Sequence, residues 1–239
     1  MKHGVVCIIK KKPCENKIKQ FLYLLSLSSG DFHLCVVSNG FPEIREIVRK
    51  SGIKDYTIYN NSGNPPYSLM LNQGLKNCSP YKYTTCFNGE YSIVNGTDWI
   101  ESINEHEFDL GGFQEEFFIN TQNDSVKEVI SKASNGDSLE WLIRKMHGDR
   151  RINVINKNIF TVNNEALKKI GYFKHIEDFM LEFNLRFYSN ELAVKSIKEI
   201  YSVDSDFYRK DISNKINQGA KILYPVVVNK IRQRFVEKS

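Results

Sequence analysis

Two adjacent carboxylates, Glu177 and Asp178, interrupt a run of aromatic and aliphatic residues, GYFKHIEDFMLEFNLRF (171–187). Neighbouring carboxylates raise each other's pKa, which moves a general base toward neutral pH. Two acids are also favoured at a helix start by the helix dipole, without any catalytic role. The pair is therefore a candidate for proton transfer, and its alternative is an acidic helix start.

Short polar segments follow several of the apolar runs. They are Ser38-Asn39-Gly40, Asn60-Asn61-Ser62-Gly63 and Asn88-Gly89-Glu90. A carboxylate such as Glu90, at the end of a buried strand, is an oxygen ligand of the kind that Mg²⁺ or Mn²⁺ takes together with substrate phosphates. Asn-Gly is also a strong turn signal, so a plain turn is the alternative.

The elements that would position these residues alternate along the first half of the chain. The runs GVVCII, FHLCVVSNG, DYTIYNN and YKYTTCFNG read as strands, and the segments between them have helical spacing. This alternation predicts βαβ units, and hence a Rossmann-like α/β fold whose mainly parallel sheet is flanked by helices. Ligands of such sheets bind beyond the carboxyl ends of the strands, where the polar segments lie.

The second half is less regular. EFDLGGF (107–113) predicts a strand that ends in a turn, and FFINTQNDS (117–125) predicts a strand that leads into a loop. DSLEWLIRKMHGD (137–149) predicts an amphipathic helix. Residues 152–173 predict a strand, a turn and then a helix from about Asn164 to Ile170. The stretch with the paired acids is predicted to be helical because apolar residues recur there at helical spacing, namely Ile176, Phe179, Phe183 and Phe187.

The simplest division is one domain over residues 1–190 and a basic helical extension over residues 191–239. The net charge is +5, which is compatible with a polyanionic partner or an anionic membrane surface. Part of the excess lies in the extension, at Arg209, Lys210, Lys215, Lys221, Lys230, Arg232, Arg234 and Lys238.

Composition excludes several classes of protein. The five cysteines are odd in number and form no CxxC pair, so neither a disulfide framework nor a zinc site is predicted. No run approaches the ~20 apolar residues of a membrane span, and the first apolar stretch is too short for a signal peptide. We expect a cytoplasmic protein, with a peripheral position at a membrane or the cytoplasm of a virus-infected host as alternatives.

Four stretches give the sequence a resemblance to the inverting family 2 glycosyltransferases, which have the GT-A fold. They are CVVSNGF, NNSGNPPYSLMLNQGL, FNGEYSIVNGTDWIESI and NIFTVNNEALKKIGYFKHIEDFMLEFNLRF. In order, they are similar to that family's second-strand motif, its N-x-G…N-x-G pattern, its metal motif, and its stretch with I-G-x-F, E-D and an arginine. The order and spacing of the four agree over roughly residues 4–190, so the resemblance implies a GT-A domain that binds a nucleotide sugar.

The resemblance also implies roles for particular residues. Asp178 would be the general base with Glu177 beside it, and Glu90 would hold a divalent Mn²⁺ or Mg²⁺. The donor nucleotide would be bound by Ser38, Asn39, Asn61, Gly63, Asn72 and Asn88, and Asn60 is a weaker candidate for the same contact. The candidates for contact with the acceptor or the sugar are Gly111 and Gly112, whose backbone could approach the sugar, His175, which lies two residues before the acidic pair, and Arg186. Without the resemblance, the asparagines and glycines are turn residues and Arg186 pairs with Glu182 one helical turn earlier.

Two departures from the family pattern concern the donor side. Ser38 replaces an acid that helps to hold the nucleotide base in that family, which leaves open whether the donor is a UDP-sugar or a dTDP-sugar. Asn88-Gly89-Glu90 has one carboxylate where many relatives have two. The cation would therefore be bound weakly or be dispensable.

Three functions stay open on the sequence alone. The first is a glycosyltransferase that moves a sugar to a hydroxyl with inversion, its acceptor being a glycan, a lipid-linked glycan or a modified DNA base. The second is a sugar nucleotidyltransferase, although IIKKKPCENK has no glycine for a phosphate loop. The third is a catalytically degenerate GT-A domain that serves as a binding module.

Overall fold

A seven-stranded mixed sheet forms the centre of the protein, as seen in a computed structural model that describes residues 1–10, 15–89, 97–118, 151–175, 179–197 and 200. The strands are β1 (His3–Ile9), β2 (Phe32–Asn39), β3 (Tyr56–Asn61), β4 (Tyr83–Asn88), β5 (Leu110–Phe118), β6 (Arg151–Asn163) and β7 (Val194–Ser196). Their order in the sheet is β3-β2-β1-β4-β6-β5-β7. Among these strands only β6 runs antiparallel to its neighbours, which confirms the predicted mainly parallel α/β fold.

Helices cover both faces of the sheet. They are α1 (Glu15–Ser26), α2 (Ile44–Lys50), α3 (Tyr67–Asn77), α4 (Trp99–Glu105), α5 (Asn164–Ile170) and α6 (Phe179–Ser189). The predicted helix at about 164–170 and the predicted helix through Phe179, Phe183 and Phe187 are both confirmed. The helix predicted over 137–149 lies outside the described residues. No described helix has the length and apolar character that a membrane crossing needs.

Strand β1 shows why the sheet is buried on both faces. All seven of its residues are buried, as is usual for a strand with helices on either side. Val5, Cys7 and Ile9 point to one face and pack with α1, α2 and α4. Val6 and Ile8 point to the other face and pack with α3, α5 and α6. The alternation of side chains along the strand thus builds two apolar layers from one continuous apolar run.

Helix α3 packs very closely on β1. A Cβ atom on Gly74 would overlap the side chain of Val6. Alanine normally stabilises a helix interior relative to glycine, but here the close approach of helix and strand requires the smaller residue. Part of the NQG sequence is therefore explained by packing.

The turn predicted at Gly111 and Gly112 is wrong, because strand β5 runs through both residues. Both glycines lie inside the strand, which continues to Phe118. A side chain at Gly112 would meet Ile155, and one at Gly111 would meet Phe108. The two glycines are needed because neighbouring side chains fill the space where a Cβ would stand.

The turn predicted between the strand that starts near residue 152 and the helix at Asn164 is also absent from the described chain, because β6 is one long strand that runs to Asn163 and the helix follows directly. Its pairing with β5 is irregular, since Gly112 pairs with Phe160 whereas Gln114 already pairs with Ile155. The extra residues of β6 form a bulge. Within it the Asn158 backbone N–H donates to Asn156 Oδ1 over 2.8 Å.

Residues 194–196, which were assigned to a helical extension, instead form strand β7 and pair in parallel with the start of β5. Ala193 anchors this edge, since its backbone N–H donates to Asp109 Oδ2 over 2.8 Å. Ile197, just beyond the strand, is buried. Residues 201–239 lie outside the described chain, so the division at residue 190 stays a prediction.

Candidate functional site

The first four strands end together at one edge of the sheet, which we call the carboxyl edge. Ser38 of β2 pairs in register with Ile9 of β1 and with Asn60 of β3. On the other side of β1, Asn88 of β4 pairs with Ile8. The polar strand ends singled out in the sequence are therefore brought side by side, as the parallel topology predicts.

Ser38 and Asn60 form one hydrogen-bonded unit at this edge. The Ser38 hydroxyl donates to Asn60 Oδ1 over 2.9 Å, and the Phe41 backbone N–H donates to the same oxygen over 3.1 Å. Ser38 is completely buried, whereas Asn60 is exposed. Of the two, only Asn60 presents its side chain to solvent, whereas Ser38, the residue predicted first for the nucleotide contact, does not.

Asn39 is tied to the loop that follows β3. Its Oδ1 accepts from the Asn64 backbone N–H over 3.2 Å, and its Nδ2 donates to Asn64 Oδ1 over 3.3 Å. Asn64 and Gly63 both have positive φ, 51° and 83°, which is a conformation that glycine and asparagine adopt most readily. Gly63 thus shapes this loop. Asn64 also belongs to the carboxyl edge, although it was not among the predicted site residues.

The side chain of Asn61 points to the face of the sheet opposite to that of Asn60, toward α3. Its Nδ2 donates to Gln73 Oε1 over 2.9 Å. Its backbone carbonyl accepts from the Gly40 N–H over 2.8 Å. These bonds join the ends of β2 and β3 to the middle of α3, so the N-x-G pairs of the sequence meet in space.

Asn72 holds the segment that leads to the paired acids. Its Nδ2 donates to the Phe173 carbonyl over 2.8 Å, and its Oδ1 accepts from the Phe173 N–H over 2.9 Å. This pair of hydrogen bonds connects residues that lie 101 positions apart in the sequence. Asn72 was predicted to bind nucleotide, and the structure places its amide against the backbone.

Arg186 fixes the same segment from α6. Its guanidinium donates to the backbone carbonyls of Ile170, Gly171 and Tyr172. It also pairs with the buried carboxylate of Glu182, with Nε 2.8 Å from Oε1 and Nη2 2.9 Å from Oε2. These contacts correspond to the alternative reading of Arg186, in which it pairs with Glu182 rather than facing a diphosphate.

His175 lies near the start of α3. Its Nδ1 is 3.4 Å from the Ser68 hydroxyl, and its side chain is exposed. Phe173 and Phe179, which flank this part of the chain, touch through their rings at 5.3 Å between centroids. The predicted base Asp178 and its neighbour Glu177 lie outside the described residues, between these two aromatic anchors in the sequence.

Strand β4 leads directly toward the predicted metal ligand. The Gly89 N–H donates to the Ile8 carbonyl over 2.7 Å, which holds the end of β4 against β1. Glu90 itself lies outside the described residues. Within the described ranges no group of three His, Cys, Asp or Glu side chains could hold a metal ion.

Gly111 and Gly112 stand apart from the other predicted residues. Through β6 they are level with Thr85 and Cys86 of β4, so they lie two to three residues short of the end of that strand at Asn88. Their close packing explains them without a sugar contact. The carboxyl edge therefore gathers the predicted donor residues of the strand ends, but neither Asn72, which lies on α3, nor these two glycines.

Comparison with known proteins identifies the fold but no family. No protein-family model and no curated protein matches the sequence. The crystal structure of S. aureus TarS is similar with a TM-score of 0.52 and 15% identity, over 82% of this chain and 35% of that chain. A structure of TarS 1–349 in complex with UDP-GlcNAc gives a TM-score of 0.50 and 15% identity, over 82% of this chain and 56% of that one.

The chain therefore spans about a third of the first TarS chain and just over half of the second. A 4-diphosphocytidyl-2C-methyl-D-erythritol synthase from Anaerococcus prevotii reaches a TM-score of 0.49 at 12% identity, over 82% of this chain and 86% of that chain. At such identities the likeness concerns the fold alone. The described part of the chain has an α/β, Rossmann-like fold of the GT-A type.

Proposed function

We propose that the chain is a glycosyltransferase that moves a sugar from a nucleotide-sugar donor to a hydroxyl acceptor with inversion. The observation that carries the proposal is the carboxyl edge, where the polar ends of β2, β3 and β4 meet around the end of β1 in a fold of the GT-A type. Support comes from TarS, a structural neighbour that was crystallised with UDP-GlcNAc. A UDP- or dTDP-sugar is the proposed donor.

In the proposed reaction the acceptor oxygen attacks the anomeric carbon as the bond to the diphosphate oxygen breaks. The acceptor proton passes to the carboxylate of Asp178, and the nucleoside diphosphate leaves with the bonding electron pair. A base on the face opposite the leaving group is what inversion requires. Asn72 and Arg186 support this arrangement indirectly, because they fix residues 170–173 just before the acidic pair.

A divalent cation would neutralise the charge of the leaving diphosphate when bound. The described residues supply no ligand cluster for it. Glu90 would have to hold the ion together with phosphate oxygens, which suits a hard cation with few protein ligands.

The acceptor is proposed only by class, as a hydroxyl of a glycan, of a lipid-linked glycan or of a modified DNA base. The basic residues over 209–238 favour an anionic acceptor or surface. If they bind a polyanion, affinity should fall steeply with added salt.

The proposal is tested by measuring release of nucleoside diphosphate from UDP- and dTDP-sugars with Mn²⁺ present. Asp178→Asn should lower the rate by about 100-fold or more, because loss of a general base typically costs that much. Glu105→Gln, at an exposed carboxylate on α4, should keep the wild-type rate. Equal rates for wild type and Asp178→Asn would remove Asp178 from catalysis.

A binding module is the second candidate, because Ser38 and Asn72 are bonded to other parts of the protein rather than presented to a ligand. In that case nucleotide sugars would bind to the wild type, but no diphosphate would be released with any acceptor or with water. Titration calorimetry on the same samples separates the two candidates.

A further inference from the structure

The exposed amide of Asn60 has an orientation that the surrounding protein determines. The Phe41 backbone N–H can only donate, so the atom of Asn60 that faces it, at 3.1 Å, must be the carbonyl oxygen. The Ser38 hydroxyl donates to the same oxygen. Both bonds leave the amide nitrogen directed away from them, and within the described chain that nitrogen makes no hydrogen bond.

The position of Asn60 suits the base end of an extended nucleotide. The strand order changes direction between β1 and β4, and ligands of open α/β sheets bind at such a point. Strands lie about 4.8 Å apart, so the end of β3 is about 10 Å from the end of β1. A diphosphate near β1 and β4 would place its nucleoside over β2 and β3.

We propose that Asn60 reads the nucleobase of the donor through its amide N–H groups, and that Ser38 is a positioning residue that holds Asn60. The inference rests on the proposed function, since it assigns the base contact of that same site. Ser38 is completely buried and reaches a ligand only through Asn60. The ligand class is a nucleoside diphosphate whose base presents a carbonyl oxygen or a ring nitrogen acceptor.

A group that only donates discriminates poorly between pyrimidines. Uracil offers the O2 and O4 acceptors, and cytosine offers O2 and N3, so both can accept from Asn60. The N3–H of uracil, which distinguishes it from cytosine, finds no acceptor on this amide. The wild type should therefore bind UDP and CDP with affinities within about threefold of each other, less than one hydrogen bond is worth.

Asn60→Asp is the sharpest test because it keeps the internal bonds and changes only the outward atom. A carboxylate oxygen still accepts from Ser38 and from the Phe41 N–H, while the outer N–H₂ donor becomes an acceptor. At the O2–N3 edge of the base, where the wild-type amide can donate to either pyrimidine, that acceptor can bind the N3–H of uracil and repels the O2 and N3 lone pairs of cytosine. The ratio of UDP to CDP affinity should rise by about tenfold or more.

The added negative charge will weaken binding of any diphosphate, so the ratio is the informative quantity. Asn64→Asp is the matched control, since it adds the same charge to an exposed asparagine at the same edge. It should lower both affinities together and leave the ratio unchanged. Asn60→Ala, which removes the donor, should weaken UDP and CDP by about threefold or more each.

A double-mutant cycle tests the positioning role of Ser38. Ser38→Ala should weaken UDP binding in the wild type, because Asn60 loses one of the two bonds that orient it. The same substitution should have no effect on UDP binding once Asn60 is alanine, since nothing is left to position. An equal effect in both backgrounds would show that Ser38 does not act through Asn60.

Titration calorimetry at neutral pH with UDP and CDP supplies all these affinities, and urea unfolding checks that each variant is folded. A UDP to CDP ratio that is the same in Asn60→Asp and wild type would overturn the inference while leaving the proposed function intact. If Asn60→Asp does not fold, unchanged affinities in Asn60→Ala would overturn it equally. Failure of the wild type to bind any nucleoside diphosphate would overturn the proposed function, and the inference with it.

Discussion

Single side chains at the carboxyl edge are mostly amides whose partners are fixed within the protein. Asn39 is bonded to Asn64, Asn61 to Gln73, and Asn60 to Ser38 and Phe41. A neutral amide can satisfy a backbone group with one atom and still present the other to a ligand. The hydrogen bonds that organise the carboxyl edge are therefore formed by uncharged groups.

His3 is a second residue whose chemistry is set by its surroundings. It is fully buried on β1, with Nε2 2.8 Å from the Thr85 hydroxyl, which in turn lies 2.6 Å from the Thr161 hydroxyl. Burial lowers the pKa of His3 to about 3, because the charged imidazolium would lose its water. His3 is therefore neutral in the native protein. Its hydrogen bonds form a row that links β1, β4 and β6.

This lowered pKa predicts a loss of stability in acid. The unfolded chain protonates His3 as the pH falls through about 6.5, whereas the native state does so only near pH 3. Stability that is present above pH 6.5 is thus lost progressively as the pH falls toward 3. Between pH 7 and pH 4.5, His3 should contribute roughly 2 to 3 kcal/mol to the decrease in the free energy of unfolding.

The measurement is urea unfolding at the two pH values. His3→Gln should show a decrease smaller than that of the wild type by this amount, because glutamine does not titrate. His106→Gln, at an exposed histidine, should keep the full decrease. If wild type and His3→Gln lose the same free energy, His3 is not the group responsible.

At the scale of elements, helix α3 connects the two halves of the candidate site. Gln73 meets the end of β3, and Asn72 holds Phe173 between α5 and α6. Gly74 lets the helix lie against Val6 of β1. One turn of α3 thus positions both the predicted donor side and the approach to the paired acids.

Asn72→Ala should therefore destabilise the protein. It leaves the N–H and the carbonyl of Phe173 without their partners, and the expected loss is roughly 1 to 3 kcal/mol in the free energy of unfolding. Asn16→Ala, at an exposed position on α1, should change it by less than about 0.5 kcal/mol. A loss for Asn72→Ala no larger than that of the control would mean that the two bonds to Phe173 contribute nothing, and urea unfolding at neutral pH decides.

The elements also show what a sequence can and cannot reveal. Strands β1 to β4 were predictable because continuous apolar runs separated by amphipathic segments have few other solutions. The turn at Gly111 and Gly112 was wrong because paired glycines look alike whether they form a turn or make room for neighbours. Strand β7 is short and partly polar, so its pairing with β5 left no periodic signal.

For the candidate site, the sequence allowed the location to be predicted but not all of the contacts. Its location followed from the parallel strands, and the polar strand ends do meet there. The role of Asn72 was not readable, because its partner is the backbone of Phe173. For Arg186 the pairing with Glu182 was among the predicted alternatives, but its bonds to the carbonyls of residues 170–172 were not. The partner of Asn72 is 101 residues away, and no local sequence pattern predicts a contact with such a distant backbone group.

At the scale of the whole molecule, one sheet carries two kinds of pairing. The parallel part, β3-β2-β1-β4, ends at the carboxyl edge, where the predicted donor residues other than Asn72 lie. The antiparallel strand β6 then joins it to β5 and β7, where Ile197 packs near Gly111. Residues 194–196 thus belong to the sheet, and the proposed nucleotide site lies on its parallel half.

The proposed nucleotide site can be tested with a crystal of the full chain soaked with UDP. We predict nucleotide density beyond the carboxyl ends of β1–β4, with the diphosphate near β1 and β4. An acceptor atom of the base should lie about 3 Å from Asn60 Nδ2, the usual length of such a hydrogen bond. Nucleotide bound at any other part of the surface, or no nucleotide at a saturating concentration, would contradict the account.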